Sequence, residues 1–239
     1  VVAGYSAAQV RAAEAPHLAA GEPLMRRAAA ALAASIRREL LASDASAGPV
    51  LVLAGTGDNG GDALFAAAEL AADGVEVDVV PTGSRMHPAA AAAVRAAGAR
   101  VWDAGGEADT GAGEDTAADP AFAQVAERAV LVVDGILGTG TSSDPALRGR
   151  ARELVERLMP VVARTRATVV AVDLPSGIHP DDGSVPDPTV LRADVTVTFG
   201  AAKAGLLIEP GADLAGRVEV VDLGLGRELA RMTPLVERA

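Results

Sequence analysis

Val50-Leu51-Val52-Leu53-Ala54 is an unbroken apolar run that passes straight into Gly55-Thr56-Gly57-Asp58-Asn59-Gly60-Gly61-Asp62. A strand apolar on both faces has to be covered on both, as in a parallel sheet held between two layers of helices. The unit is then repeated. An apolar helical pattern runs from Asp62 to Ala72, a strand from Val75 to Val80, a helix from Pro88 to Ala97 and a short strand from Ala99 to Trp102. Further strands are expected at Val130–Val133, Thr168–Val172, Val195–Phe199 and Val218–Val221, with a helix over Pro145–Arg164. Upstream, Ser6-Ala7-Ala8-Gln9 has the form of a capping box and opens a helical stretch to about Leu41, which Gly21 and Pro23 divide in two. Alternating β and α units with right-handed crossovers predict an α/β protein. The expected fold is a three-layer α/β/α Rossmann-like one with a mainly parallel sheet and an N-terminal helical extension, with residues 1–239 as one domain.

Half of the 239 residues are hydrophobic but only 2% are aromatic, so the core has to be built from Ala, Val, Leu and Ile. The formal net charge of −11, with no run of Lys or Arg, argues against nucleic acid as a partner. Without cysteine there is neither a disulfide framework nor a thiolate metal site. The opening residues lack the basic and long apolar regions of a signal peptide, and no window approaches a membrane span of roughly 20 apolar residues. A cytoplasmic protein is expected. The segment from Asp103 to Asp119, without apolar period, reads as a solvated surface loop.

In open α/β sheets ligands bind beyond the carboxyl ends of the strands. There the first apolar run enters a G-x-G-x-x-G loop, whose glycines let the backbone approach a phosphate while the next helix offers free N–H groups. It is not a Walker A loop, since no Lys-Ser or Lys-Thr follows. Nor does the second strand end in the acid that holds the ribose of an ordinary dinucleotide, because Asp78 lies inside it. Later strands end in Asp134-Gly135-Ile136-Leu137-Gly138-Thr139-Gly140 and Asp173-Leu174-Pro175-Ser176-Gly177, so Asp58, Asp62, Asp134 and Asp173 are expected to converge. Such a cluster shifts carboxyl pKa values upward or recruits a cation. Asn59, Asp134, Ser176 and nearby carbonyls are hard oxygen ligands suited to an alkali or alkaline-earth ion. His17, His87 and His179 show no ligand spacing and read as structural, and Ser176 lacks the context of a hydrolase nucleophile.

Taken with Thr196-Val197-Thr198-Phe199-Gly200-Ala201-Ala202-Lys203-Ala204-Gly205, these loops resemble the NAD(P)H-hydrate epimerase family, the YjeF N-terminal domain. The likeness runs from Gln9-Val10-Arg11 and Glu14 to the final strand. The family pattern G-x-G-N-N-G-G-D-G stands here with Asp58 for the first Asn and Ala63 for the last Gly. The resemblance implies that Asp58, Asn59, Gly60, Gly61 and Asp62 line a hydrated nicotinamide nucleotide. Gly138, Thr139, Gly140, Thr141, Ser142, Ser143, Asp144 and Asp173 would complete that lining. Asn59, Asp134 and Ser176 would hold a potassium ion.

The family's substrate is NADH or NADPH hydrated across the C5–C6 bond of the nicotinamide, and the reaction interconverts the R and S hydroxyls at C6. The ring nitrogen expels hydroxide, leaving a planar iminium that water attacks from either face, so no redox cofactor is needed. Asp173 or Asp62 is expected to donate and recover the proton. Lys203 is expected either to balance the carboxylates or contact phosphate, or to make a structural ion pair. A non-catalytic nucleotide-binding or scaffolding module is the alternative that Asp58 favours. An ordinary dehydrogenase is disfavoured by the missing second-strand acid. Family members often carry a kinase-like dehydratase domain that uses ATP or ADP. This chain ends soon after its last strand, and reads as a stand-alone epimerase or the amino-terminal part of a bifunctional chain. Its amphipathic N-terminal helices suit a homodimer.

Overall fold

The computed structural model describes residues 1–42, 48–102, 120–140 and 144–238. Seven strands form one sheet: β2 (Val50–Ala54), β3 (Val77–Pro81), β4 (Arg100–Val101), β5 (Leu131–Gly135), β6 (Thr168–Val172), β7 (Val195–Phe199) and β9 (Arg217–Val221). Their order is β4-β3-β2-β5-β6-β7-β9, and every adjacent pair is parallel. The chain builds outward from β2 through β3 to β4, then returns to the other side of β2 with β5. The order therefore reverses between β2 and β5, and a reversal opens a crevice at the carboxyl ends of the two strands.

Alternation along β2 shows why the sheet has two covered faces. Val50, Val52 and Ala54 join a core with α1 (Ala7–Ala19), α2 (Leu24–Ala42), α3 (Asp58–Ala72) and α4 (Pro88–Ala96). Leu51 and Leu53 point the other way, into a second core with α5 (Pro120–Arg128) and α6 (Gly149–Thr165). Burial of a single Leu contributes about 1.5–3 kcal/mol, so each strand is held from both sides. The expected three-layer architecture is present.

The sequence signals for the first helix are borne out in detail. Ser6 accepts from the Gln9 amide and the Gln9 side chain returns a bond to the Ser6 amide, closing the capping box. Ahead of it lies β1 (Val2–Tyr5), which pairs antiparallel with β10 (Val236–Arg238) and parallel with β8 (Ala202–Lys203). This small sheet fastens the N-terminus beside Lys203, and the Ala7 amide donates to Asp181. As a result α1 lies against the carboxyl ends of the main strands and is not a free extension. The expected loop from Asp103 to Asp119 falls outside the described residues.

Close backbone approach sets the crevice floor. A Cβ on Gly60 would stand 2.1 Å from the Gly55 carbonyl oxygen, and one on Gly55 would stand 1.9 Å from that of Ile136. Neither obstacle is a flexible side chain. Gly57, by contrast, has open space where a Cβ would go. Gly60→Ala should therefore lower stability by about 3 kcal/mol, a fall in Tm of roughly 6–12 °C, whereas Gly57→Ala should cost no more than about 1 kcal/mol; paired thermal melts check the contrast.

Candidate active site

The loops after β2 and β5 meet at the reversal. The Gly55 amide donates to the Gly135 carbonyl, and Asn59 Nδ2 donates to the Leu137 carbonyl at 2.9 Å. Between these loops, α1 and the end of β6 lies a cleft of about 590 Å³, within the size range of small-ligand sites. Helix α3 begins at Asp58, earlier than the sequence suggests, so the glycine-rich loop is already its first turn. Gly57, Asp58 and Asn59 at its N-terminus line the cleft, and the free amides of a helix N-terminus can serve as donors for an anion. Asp58 is exposed in that first turn, where a negative charge favours the helix dipole.

Asp173 follows β6 with φ 68°, a left-handed conformation that an L-residue adopts at a cost of order 1–3 kcal/mol. Contacts on both backbone and side chain hold it there. Its amide donates to the Val197 carbonyl, and its Oδ1 accepts from Thr198 Oγ1, the Phe199 amide and Lys203 Nζ. Lys203 is only 2% exposed, and its ammonium finds an acceptor for each of its three protons: Asp173, Thr198 Oγ1 at 3.1 Å and the Phe199 carbonyl at 2.9 Å. Both readings of Lys203 thus converge, since a structural ion pair and a counter-charge to the carboxylates are here the same contact.

Asp62 faces the cleft from α3, buried, with its Oδ1 unpartnered among the described residues. Burial pushes its carboxyl well above the usual range, the charges of Asp173, Asp58 and Glu14 push the same way, and Lys203 opposes them. The group therefore favours its protonated form more than an exposed aspartate does. Glu14, on α1, is also raised, first by burial.

A third arrangement lies beside the cleft. Asp134 is 1% exposed; Ser176 donates to it from both Oγ, at 2.6 Å, and its amide, at 2.8 Å, and the Ile136 amide also donates. Ser176 Oγ in turn accepts from the Leu137 amide. Burial raises the Asp134 carboxyl, and the bonds from Ser176 and Ile136 partly offset that rise. With Asn59 bonded to Leu137, the three residues expected at a cation site lie in one network of hard oxygens around a buried carboxylate.

The structure brings Asp58, Asn59, Asp62, Gly138, Thr139, Gly140 and Asp173 to the cleft. Gly60 and Gly61 are buried in the first turn of α3, one against Gly55 and the other against the His87 ring, so their missing side chains shape the turn. Asp144 is exposed, outside the cleft lining, and bonds Arg148 and the Ala146 amide. Thr141, Ser142 and Ser143 fall outside the described residues. His17, His87 and His179 make local contacts with Glu22 and Glu228, the Ala90 amide, and Asp182. Sequence reasoning did not assign Val10, Arg11, Glu14 and Leu18 of α1 to the site, although all four line the cleft. Their spacing of one helical face was the available signal.

A doubly wound sheet with a glycine-rich, acid-lined crevice at its reversal defines a Rossmann-like small-molecule site. The chain matches the family described as YjeF-related protein N-terminus over residues 21–205, and it belongs to that family. Among its relatives is a protein of Clavibacter michiganensis subsp. michiganensis named NAD(P)H-hydrate epimerase. It is 56% identical over 237 residues, which cover 99% of this chain and 96% of the relative. A Microbacterium testaceum protein of the same name is 53% identical, covering 100% and 85%. A Mycobacterium tuberculosis protein named bifunctional NAD(P)H-hydrate repair enzyme Nnr is 37% identical over 92% of this chain, which spans 41% of that relative. The crystal structure of yeast ynu0, YNL200c, shares the fold with a TM-score of 0.74 at 18% identity, covering 100% of this chain and 97% of that one.

Because the folded protein holds the Asp62 proton to higher pH than the unfolded chain does, ionising Asp62 costs stability. That cost is absent below the unfolded pKa, about 4, and grows as pH rises towards the folded value. Asp62→Asn should thus raise the Tm by about 2–4 °C or more at pH 8, the shift expected for roughly 1 kcal/mol. The gain should shrink to nothing as pH approaches about 4; melts across that range check it.

Proposed function

We propose that this chain is an isomerase that interconverts the R and S forms of hydrated NADH and NADPH in nicotinamide nucleotide repair. The observation that carries the reading is the 56% identity to a NAD(P)H-hydrate epimerase across 99% of the chain. The cleft at the sheet reversal supports it.

The chemistry sets three tasks: to protonate the departing C6 oxygen, to stabilise the cationic ring and to fix the nucleotide. Asp62, with its raised carboxyl, is suited to the first. Asp173, held rigid by Lys203 and Thr198, is suited to the second and to ordering the water that leaves or returns. The amides of the first turn of α3 and the Gly138–Gly140 loop are suited to the third, as donors to the pyrophosphate. Asp58 stands where the helix dipole favours it, so its departure from the family pattern has a structural account that leaves the pocket intact. That weighs against the non-catalytic alternative.

Asn59, Asp134 and Ser176 fit a potassium ion, because Asp134 is a buried carboxylate whose partners here are a hydroxyl and two amides, without a cationic side chain. When bound there, the ion would supply positive charge between the β2 and β5 loops. Adding KCl should raise the Tm more than NaCl of equal ionic strength, and Ser176→Ala should erase the difference. In the cell the reaction would serve an ATP- or ADP-dependent dehydratase, consistent with the bifunctional names of some relatives.

The direct experiment follows the separated R epimer of hydrated NADPH by chromatography. The chain should accelerate appearance of the S epimer over the spontaneous rate, and Asp173→Asn should cut turnover by at least about 10²-fold, the lower end for loss of a group that stabilises charge developing in the transition state. No acceleration, with nucleotide binding intact, would move the assignment to a binding module.

A further inference from the structure

The R and S hydroxyls of the hydrate lie on opposite faces of one ring. A carboxyl serves an oxygen only within about 3 Å, so a group fixed beneath the ring cannot also deliver a proton above it. Interconversion through a planar cation therefore requires acid–base help from two walls, or a ring that turns over between steps. Asp62 and Asp173 stand on segments that continue directly from main-sheet strands, α3 after β2 and the turn after β6. The other wall is α1, which presents Val10, Glu14 and Leu18, spaced four residues apart on one face.

That wall is held in place independently of any ligand. β1 pairs with β8 so that Tyr5 lies beside Lys203, Ser6 caps α1, and the Arg11 guanidinium donates to the Thr139 carbonyl at 2.9 Å across the cleft mouth. Of the α1 residues that line the cleft, Glu14 alone carries a carboxyl, with apolar Val10 and Leu18 one turn to either side.

Resting on the epimerase reading above, we propose that Glu14 is a second catalytic acid–base residue, serving the ring face turned to α1 while Asp62 serves the face turned to the sheet. In one direction Asp62 gives its proton to the C6 oxygen and the C–O bond breaks. The bond's electron pair leaves with the water, and the nitrogen lone pair closes the C=N bond. Water then bonds to C6 on the α1 side, passes one proton to the Glu14 carboxylate, and the nitrogen regains its lone pair. The reverse direction runs from protonated Glu14 to the Asp62 carboxylate. Glu14 is half-buried, burial raises its carboxyl, and Lys203 and Asp173 act on it with opposite signs, as expected of a group sharing the cleft with both.

The test is incubation of each purified epimer in ¹⁸O-water with wild type, Glu14→Gln, Glu14→Asp and Asp62→Asn, reading label uptake and configuration together. Gln and Glu have similar helix propensities, so Glu14→Gln keeps α1. Wild type should exchange and interconvert both epimers. Glu14→Gln should lose interconversion by at least about 10²-fold yet still exchange label into one epimer with retained configuration. Asp62→Asn should retain exchange only in the opposite epimer, and Glu14→Asp should recover part of the interconversion. Glu14→Gln interconverting at the wild-type rate, or losing exchange and interconversion equally in both epimers, overturns the proposal while leaving the epimerase reading intact. A wild-type chain that accelerates neither process overturns both.

Discussion

Lys203 is an ammonium taken almost wholly out of water, and such a group persists only when every proton is accepted and its charge is met. Asp173 meets the charge, and Thr198 and the Phe199 carbonyl take the remaining protons. Because those partners stand at the ends of β6 and β7, the pair fixes the far side of the crevice. Because Lys203 also ends β8, it fixes the small sheet that carries α1. Loss of Lys203 would leave a buried carboxylate without its counter-charge, a change of the kind that costs about 3–5 kcal/mol, and would loosen two walls of the cleft together.

Against that background the surplus of carboxylates becomes intelligible. Lys203 shares the cleft with Asp173, Asp62, Asp58 and Glu14 but is paired with Asp173, so at Asp62, which makes no such ion pair among the described residues, burial and the neighbouring negative charges push the carboxyl upward. A pocket with negative charge to spare favours a ligand that becomes positive as it reacts, as the nicotinamide ring does when hydroxide leaves. The same negative charge opposes a pyrophosphate, which is why the proposed phosphate donors are uncharged main-chain amides at the start of α3. Stability is thereby given up at Asp62, a familiar exchange where a site needs a group in an unfavourable state.

The β-α alternation was legible because buried parallel strands of Ala, Val, Leu and Ile stand out against glycine-rich loops, whereas the strand order, and with it the reversal between β2 and β5, is set by tertiary pairing. Asp62, Asp173 and the Asn59, Asp134 and Ser176 network could be located because they sit at strand ends. What the sequence hid was short or depended on tertiary contacts. β8 has two residues and β10 three, too few for any periodicity, yet their pairing with β1 brings Glu14 to the cleft. Helix α5 did carry a signal, since Phe122, Val125 and Ala126 share one face, but it follows a segment without pattern. Gly60 and Gly61 have a packing reason that the sequence did not show: their missing side chains admit the Gly55 carbonyl and the His87 ring, while Asp58, Asn59 and Asp62 present side chains to the cleft.

The central claim is that the crevice between α1 and the ends of β2, β5 and β6 holds the nucleotide with its nicotinamide among the carboxylates. A crystal structure of the chain soaked with NADP⁺, which keeps the ring and phosphates of the substrate, tests it most directly. The account predicts the pyrophosphate at the first turn of α3 and the nicotinamide between Glu14 and the Asp62–Asp173 pair. Nucleotide bound elsewhere, or lying in the cleft with its nicotinamide turned out to solvent, would contradict it.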